Sequence, residues 1–447
     1  MSNPYEYGVE SDQQAGQPVN APGRHVGASS MRFWVIGATT LAAVALYLDR
    51  ICIAEIAKLD DFRTSLGMSE KQVGGIMSAF FFTYALCQVP AGWLSDRLGA
   101  RRMLPIYICV WSICTIMTGL ANGFLMLITA RLLFGVSQAG CYPTAGSLIK
   151  RWMPLPQRGT ASSIVSFGGR LGGAIAPILT AWLLADIIGW RAVLIIYGSL
   201  GFVAAAIFWF VFRDRPEDHP GCNDTECRLI AEGDDELVTG LPSFPPLIPL
   251  IKSGTMWLMC ALQFGINVGW VFLVSWLPKY LKEVKNVDPK IGGWMSTIVL
   301  FAGIVGMLLG GPMTDLAVRF LGRRKGRVIP LVCCYTLAVV AYLSCLQLES
   351  AWAFIAAASV VAFATDLSVP GLWAYMQDVG GNNTAAVFGW GNMWGNFGAA
   401  VTPLAVPFIR EHWDKNGDWS EAFLFFSAGY VVAALTALGL NPDRKIR

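Results

Sequence analysis

SAFFFTYALCQVPAGWLSDRLGARR, Ser78 to Arg102, changes character at Gly92. Ahead of that residue it is an apolar run. Beyond it come one aspartate, Asp96, and three arginines, Arg97, Arg101 and Arg102. An apolar run of about 20 residues can cross ~30 Å of hydrocarbon as a helix, and basic residues at its end favour the cytoplasm. Such runs recur along the chain, about 33–56, 74–95, 103–123, 124–148, 160–186, 190–212, 255–278, 291–315, 328–347, 351–377, 384–409 and 421–440. They are continuous rather than alternating, which speaks against a membrane barrel. Composition agrees: 55% of the 447 residues are hydrophobic and 14% are charged, against about 25% charged in soluble domains. The sequence predicts an all-α polytopic membrane protein with twelve transmembrane helices.

Lys and Arg set the expected orientation. With the N-terminus inside, the inner segments carry 20 of them and the outer loops 10, while Arg50, Arg131 and Arg170 fall within spans. Both termini are therefore expected in the cytoplasm, with a bacterial inner membrane as the setting. The net charge of +3 follows from this asymmetry and gives no sign of nucleic-acid binding. Residues 1–31 are polar and rich in Gly, Pro, Ser and Asn, and read as a disordered tail without the layout of a cleaved signal peptide. Nine of the eleven cysteines lie in spans, where Cys behaves as a small apolar residue. Cys222 and Cys227 form a C-x4-C pair with no second pair beside it, which is weak for zinc.

The chain repeats itself. GPMTDLAVRFLGRRKGR, Gly311 to Arg327, echoes Gly92 to Arg102, with Asp315 in the place of Asp96. GGRLGGAIAP (Gly168 to Pro177) and WGNFGAAVTP (Trp394 to Pro403) share glycines at 169/395 and 172/398 and a proline at 177/403. This gives a tail (1–31), a six-helix bundle (32–212), a cytoplasmic linker (213–252), a second bundle (253–440) and a short tail (441–447). Two repeats of six spans that can rock about a midplane site are a transporter plan. Asp96 ends a helix, the unfavourable end for an anion, and is expected to meet a cation or cap a neighbouring helix. Gly92, Gly99 and Gly311 are expected at close helix contacts or turns.

The loop motif G-W-L-S-D-R-L-G-A-R-R, its second copy and the twelve spans resemble the major facilitator superfamily. Within it the chain is similar to the anion:cation symporter family of sugar-acid, galactonate, hexuronate and sialin-like carriers. The stretches that carry this are YLDR in the first span, RLLFGVSQAGCYPTAGSLIKRWMP in the fourth, RDRPEDHP after the sixth, SWLPKYLKEV after the seventh, and GLWAYMQDVGGNNTAAVFGWGNMWGNFGAAVTPL across the tenth and eleventh. The resemblance implies transport of an organic anion, often together with protons, and a gating role for the loop motif.

Asp49 and Arg50 sit side by side deep in the first span. A charge at mid-span costs about 2.5–3.5 kcal/mol on insertion scales, and intramembrane charges are functional by default. Neighbours on a helix point about 100° apart, so each needs a partner elsewhere. Arg50, with Arg131 or Arg170, is expected to form the anion end of a site. Tyr47, Tyr84, Gln138, Trp373, Asn392 and Asn396 are expected to supply hydroxyl, amide and aromatic contacts. Asp49 is the expected proton carrier, and Asp366 and Asp378 are possible partners of Arg170. Where the symporter family usually has Glu, GVSQAG places Gln138, which cannot carry a proton. Organophosphate antiporters share a Gln there, but they carry an Arg in the seventh span, where this chain has Trp270.

No HExxH, GxSxG or phosphate-cradling loop is present, and His25, His219 and His412 fall outside the spans. The sequence therefore points to a transporter rather than an enzyme, with no cofactor or metal. Its partners are expected to be a small organic anion, a proton and the bilayer, with the protein a monomer. A non-transporting sensor is the remote alternative.

Overall fold

A computed structural model describes residues 27–186, 188–232, 247–413 and 419–446. Among these the secondary structure is helical. The spans are α1 (Met31–Ile56), α2 (Glu70–Leu98), α3 (Ala100–Gly119), α4 (Phe124–Trp152), α5 (Arg158–Asp186) and α6 (Trp190–Val211) in the first half. The second half holds α7 (Gly254–Glu283), α8 (289–321), α9 (323–345), α10 (Ala351–Val379), α11 (Thr384–His412) and α12 (Ser420–Leu438). Among the described residues ten helices are long and apolar enough to cross a bilayer. One of them, Pro289–Cys345, is two spans joined at a break. α11 is long enough but is diluted by Asn392, Asn396 and its charged end.

The breaks show how the repeat folds. Gly99 ends α2 at φ 88° and Gly322 ends α8 at φ 76°. Both lie in the left-handed region, where a Cβ would be strained. The chain therefore turns inside both copies of the loop motif, about one helical turn later after Asp315 than after Asp96. The second repeat sets helix spacing. A Cβ at Gly172 would lie 2.5 Å from the Val44 carbonyl oxygen of α1. One at Gly398 would lie 2.3 Å from the Phe264 carbonyl oxygen of α7. Glycine thus lets α5 press on α1 and α11 on α7, the same pairing in each half.

The polarity of the surface is that of a membrane protein. Leu125, Leu404, Phe320 and Phe210 are three-quarters exposed, while Asp49, Arg131, Arg158, Asp366 and Asp378 are buried. In water this distribution would be unstable; in lipid it is expected.

Both ends of the described chain and the connection between halves lie at one end of the bundle, called the linker face below. Most of the polar tail (1–26) and the linker segment 233–246 lie outside the described residues. The last residues before α1 are tied down. Glu226, on the linker helix Asp224–Ala231, accepts hydrogen bonds from the Ser29 hydroxyl, the Met31 and Arg32 backbone N–H groups and the Arg32 guanidinium. Burial alone would raise this carboxyl; the four donors outweigh it and hold it below the usual carboxylate range.

Candidate functional site: a mid-depth cavity and the gate beneath it

Between the halves lies a cavity of about 250 Å³. The first half contributes Tyr47 and Arg50 from α1, Tyr84 from α2, Tyr142 from α4, and Ser166 and Arg170 from α5. The second half contributes Gln263, Asn267 and Trp270 from α7, Asp366 and Trp373 from α10, and Asn392 and Asn396 from α11. Its charged lining is therefore Arg50, Arg170 and Asp366.

Arg50 is held from behind. Its Nε donates to Gln138 Oε1 at 3.0 Å, and Gln138 Nε2 donates to the Leu46 carbonyl at 3.0 Å. Aromatic rings surround the guanidinium: Tyr84 at 4.4 Å, Tyr47 at 5.0 Å and Phe80 at 5.1 Å from centroid to Arg50 Cζ. Its Nη2 has no hydrogen-bond partner, and no ion pair of Arg50 is found among the described residues. A half-buried cation with a neutral holder and a buried, unpartnered Nη2 is set up to receive an anion. Arg170 differs. Its Nη2 donates to Asp366 Oδ1 at 2.8 Å, and its guanidinium stacks on Trp270 at 4.4 Å. Asp366 Oδ2 is buried without a partner.

The expected site residues divide accordingly. Tyr47, Arg50, Tyr84, Arg170, Trp373, Asn392 and Asn396 line the cavity. Gln138, Arg131 and Asp49 do not. Gln138 acts through Arg50. Arg131 is buried on the far side of the first bundle, where its Nη2 donates to Thr118 at 3.1 Å and its guanidinium lies over Phe134. It neither snorkels to the surface nor reaches the cavity. Asp49 is 1% exposed and faces Trp111, Thr115 and Arg131 in the core of the first bundle. The 100° between Asp49 and Arg50 thus sends one inward to the bundle core and the other to the cavity. Arg170 takes Asp366 and not Asp378. Tyr142, Ser166, Gln263 and Asn267 are additions. Gln263 and Asn267 lie four apart on α7, as Asn392 and Asn396 do on α11, and that repeated amide spacing was the available signal.

Below the cavity, on the linker face, the loop motifs lock the halves together. The N–H groups of Ala385 and Ala386, at the start of α11, donate to Asp96 Oδ1 and Oδ2 at 3.0 Å each. The N–H groups of Gly159 and Thr160, at the start of α5, donate to Asp315 at 2.8 and 2.7 Å, and the Thr160 hydroxyl adds a bond of 2.7 Å. Each aspartate ends a helix of one half and caps a helix N-terminus of the other, where the dipole favours an anion. Gly92 and Gly311 permit the approach: a Cβ at Gly92 would lie 2.4 Å from the Ala385 carbonyl oxygen, and one at Gly311 2.7 Å from Thr160 Cα. Asp378 completes the layer, accepting from Arg158 at 3.4 Å across the halves and from Arg327 at 2.8 Å within its own. Of the motif arginines, Arg101 stacks on Trp209 at 4.8 Å and gives its backbone N–H to Asp214, while Arg97 stacks on Trp93 at 5.2 Å. Arg102 also sits in the first turn of α3.

A family model, the Major Facilitator Superfamily, matches residues 39–403, with a further match over 285–446. The chain belongs to the Major Facilitator Superfamily. Relatives within it include a probable sulfoacetate transporter of Cupriavidus necator, 28% identical over 92% of this chain and 94% of the relative. A probable galactarate/D-glucarate transporter of Escherichia coli is 27% identical over 93% and 95%. A D-galactonate transporter of Escherichia coli is 27% identical over 96% and 99%. Among solved structures of the superfamily fold, a proton:xylose symporter matches with a TM-score of 0.71 at 15% identity, covering 94% of this chain and 97% of that one. The human organic anion transporter MFSD10 matches at 0.66 and 16%, covering 91% and 99%. The superfamily and these relatives are transporters, not enzymes, and multi-pass membrane proteins.

Proposed function

We propose that this protein is a secondary active transporter that moves an organic anion, a sugar acid or related small carboxylate, by alternating access coupled to protons. The observation that carries this reading is Arg50, a half-buried guanidinium lining a mid-depth cavity, held by a neutral amide and rings and left with an open Nη2 donor. The amide pairs of α7 and α11 and the phenols of α1, α2 and α4 suit the hydroxyls of a sugar acid. The relatives, named for sulfoacetate, galactarate, glucarate and galactonate, support the same class. In this reading the linker face lies in the cytoplasm, which its Lys and Arg content favours, and the protein in a bacterial inner membrane. In the arrangement described, the caps of Asp96 and Asp315 close the cytoplasmic side. Breaking them lets the halves rock about the cavity. The protein works as a monomer, since the cavity is complete within one chain.

The test is a thermal-shift screen of the purified protein against sugar acids, sulfonates and sugar phosphates, followed by uptake of the hits into proteoliposomes. A bound anion raises the melting temperature by mass action. Stabilisation and uptake of an organic acid are the expected outcome. Stabilisation by neutral sugars alone would contradict it.

A further inference from the structure

The cavity holds two cations and one anion in its lining, and they are not equivalent. Arg50 has no carboxylate partner, whereas Arg170 is paired with Asp366. One anionic group on Arg50 balances the cavity with the Arg170–Asp366 pair intact. A second anionic group finds Arg170 only if Asp366 lets go. Asp366 can do so by taking a proton, because its Oδ2 is buried without a partner beside the cavity. Among the described residues Arg170 is the one cation paired with it. Arg170 comes from α5, the Tyr430 phenol from α12, and α8 presents Gly303, whose Cβ position would lie 2.6 Å from Oδ2. The two guanidiniums come from different helices and share Tyr47 as a neighbour. The Tyr47 ring lies 5.0 Å from Arg50 Cζ and packs over Gly169 and Gly173, on either side of Arg170 in the chain. Two acid groups, one for each guanidinium, use this layout.

Resting on the transporter reading above, we propose that the substrate is an organic dianion with two acid groups, and that Asp366 is the protonated group that admits it by releasing Arg170. The step balances. Asp366 takes one proton from the water of the open side, its ion pair with Arg170 breaks, and the second acid group of the substrate takes the guanidinium. After the halves rock, the O–H bond breaks, the proton leaves to the opposite side and Asp366 returns to Arg170, displacing the substrate. One proton and one dianion cross together. Because Arg170 belongs to the first half and Asp366 to the second, their pair also ties the halves at mid-depth, so its exchange couples binding to rocking.

The experiment measures binding calorimetrically in buffers of different ionisation heat between pH 5.5 and 8.5. The probes are galactarate and sulfoacetate as two-group dianions, galactonate as a monoanion and glucose 6-phosphate as a compact dianion. Wild type is expected to take up about one proton per two-group dianion, with affinity falling up to ~tenfold per pH unit where Asp366 titrates. Galactonate is expected to bind more weakly, without proton uptake. In Asp366→Asn the proton uptake and the pH slope for dianions should vanish, while Asp49→Asn should keep them. The wild-type proton count tests the proposal even where a variant does not fold. Preference for galactonate or glucose 6-phosphate, dianion binding without proton uptake, or loss of the slope in Asp49→Asn alone overturns it and leaves the transporter reading standing. If wild type neither binds nor transports any organic acid, the transporter reading falls and the inference with it.

Discussion

Two layers of buried charge cross the boundary between the halves, and their carboxylates are treated differently. On the linker face Asp96, Asp315 and Asp378 have both oxygens hydrogen-bonded. At mid-depth Asp366 has one oxygen bonded and one bare, and Arg50 keeps an unused donor. A saturated carboxylate holds two surfaces together. An unsaturated group in the same low-dielectric surroundings is costly to leave alone and gains most from a ligand. On the function proposed above, the lower layer opens and closes and the upper layer binds.

The largest effect that would break this division lies at Arg50. Arg50→Ala is expected to weaken binding of an organic acid by about 2–5 kcal/mol, ~30-fold or more, measured by calorimetry on protein that still purifies as a monodisperse species. The gate should respond in rate rather than affinity. Asp315→Ala removes three bonds to the other half and Asp96→Ala two, each worth about 1.5–3 kcal/mol to the closed arrangement. Asp315→Ala should thus slow uptake into proteoliposomes at least as much as Asp96→Ala, although its motif is the weaker copy. A much larger effect of Asp96→Ala would show that the two caps are not equivalent. A smaller effect is expected behind Arg50. Gln138→Glu places a carboxylate on Arg50 Nε, where it competes with the substrate while ionised. Affinity should fall by roughly tenfold, about 1.4 kcal/mol, at high pH and recover as the pH drops and the new carboxyl is protonated. A pH-independent loss would point to packing instead. The smallest effect lies outside both layers. Glu226 is held below the usual carboxylate range, so its contribution is present at neutral pH and is lost as pH falls through its folded value. Glu226→Gln should lower stability by about 1–2 kcal/mol at pH 7 and by less as the medium becomes more acidic, read from thermal melts.

Much of this was legible in the sequence, because both features depend on local spacing. The spans follow from apolar runs, and the two copies of the loop motif follow from Gly, Asp and a basic cluster at matching intervals. The capping role of Asp96 could be expected from its place at a helix end. What the sequence could not show is which face of a span turns to the cavity when the helix is polar on two sides. Arg131 read as a cavity residue and Asp49 as a proton carrier because intramembrane charge is rare, yet both lie in the core of the first bundle and outside the cavity lining. The choice of Asp366 over Asp378 for Arg170 was equally hidden. Both lie on α10, and the depths at which α5 and α10 meet decide it. Gln138 had a clear sequence signal as a departure from related carriers. Only its geometry explains the consequence: a neutral holder leaves Arg50 with its charge uncompensated.

The division between binding layer and gate is tested most directly by measuring affinity and flux on the same two variants. Arg50→Ala and Asp96→Ala are each purified, titrated with the organic acid that stabilises wild type, and assayed for exchange in proteoliposomes. Arg50→Ala is expected to lose affinity and, with it, exchange. Asp96→Ala is expected to hold its affinity within about threefold, the ~0.7 kcal/mol scale of a modest population shift, while exchange slows severalfold. If Asp96→Ala loses affinity as Arg50→Ala does, or Arg50→Ala binds like wild type, the layers do not divide the work as described.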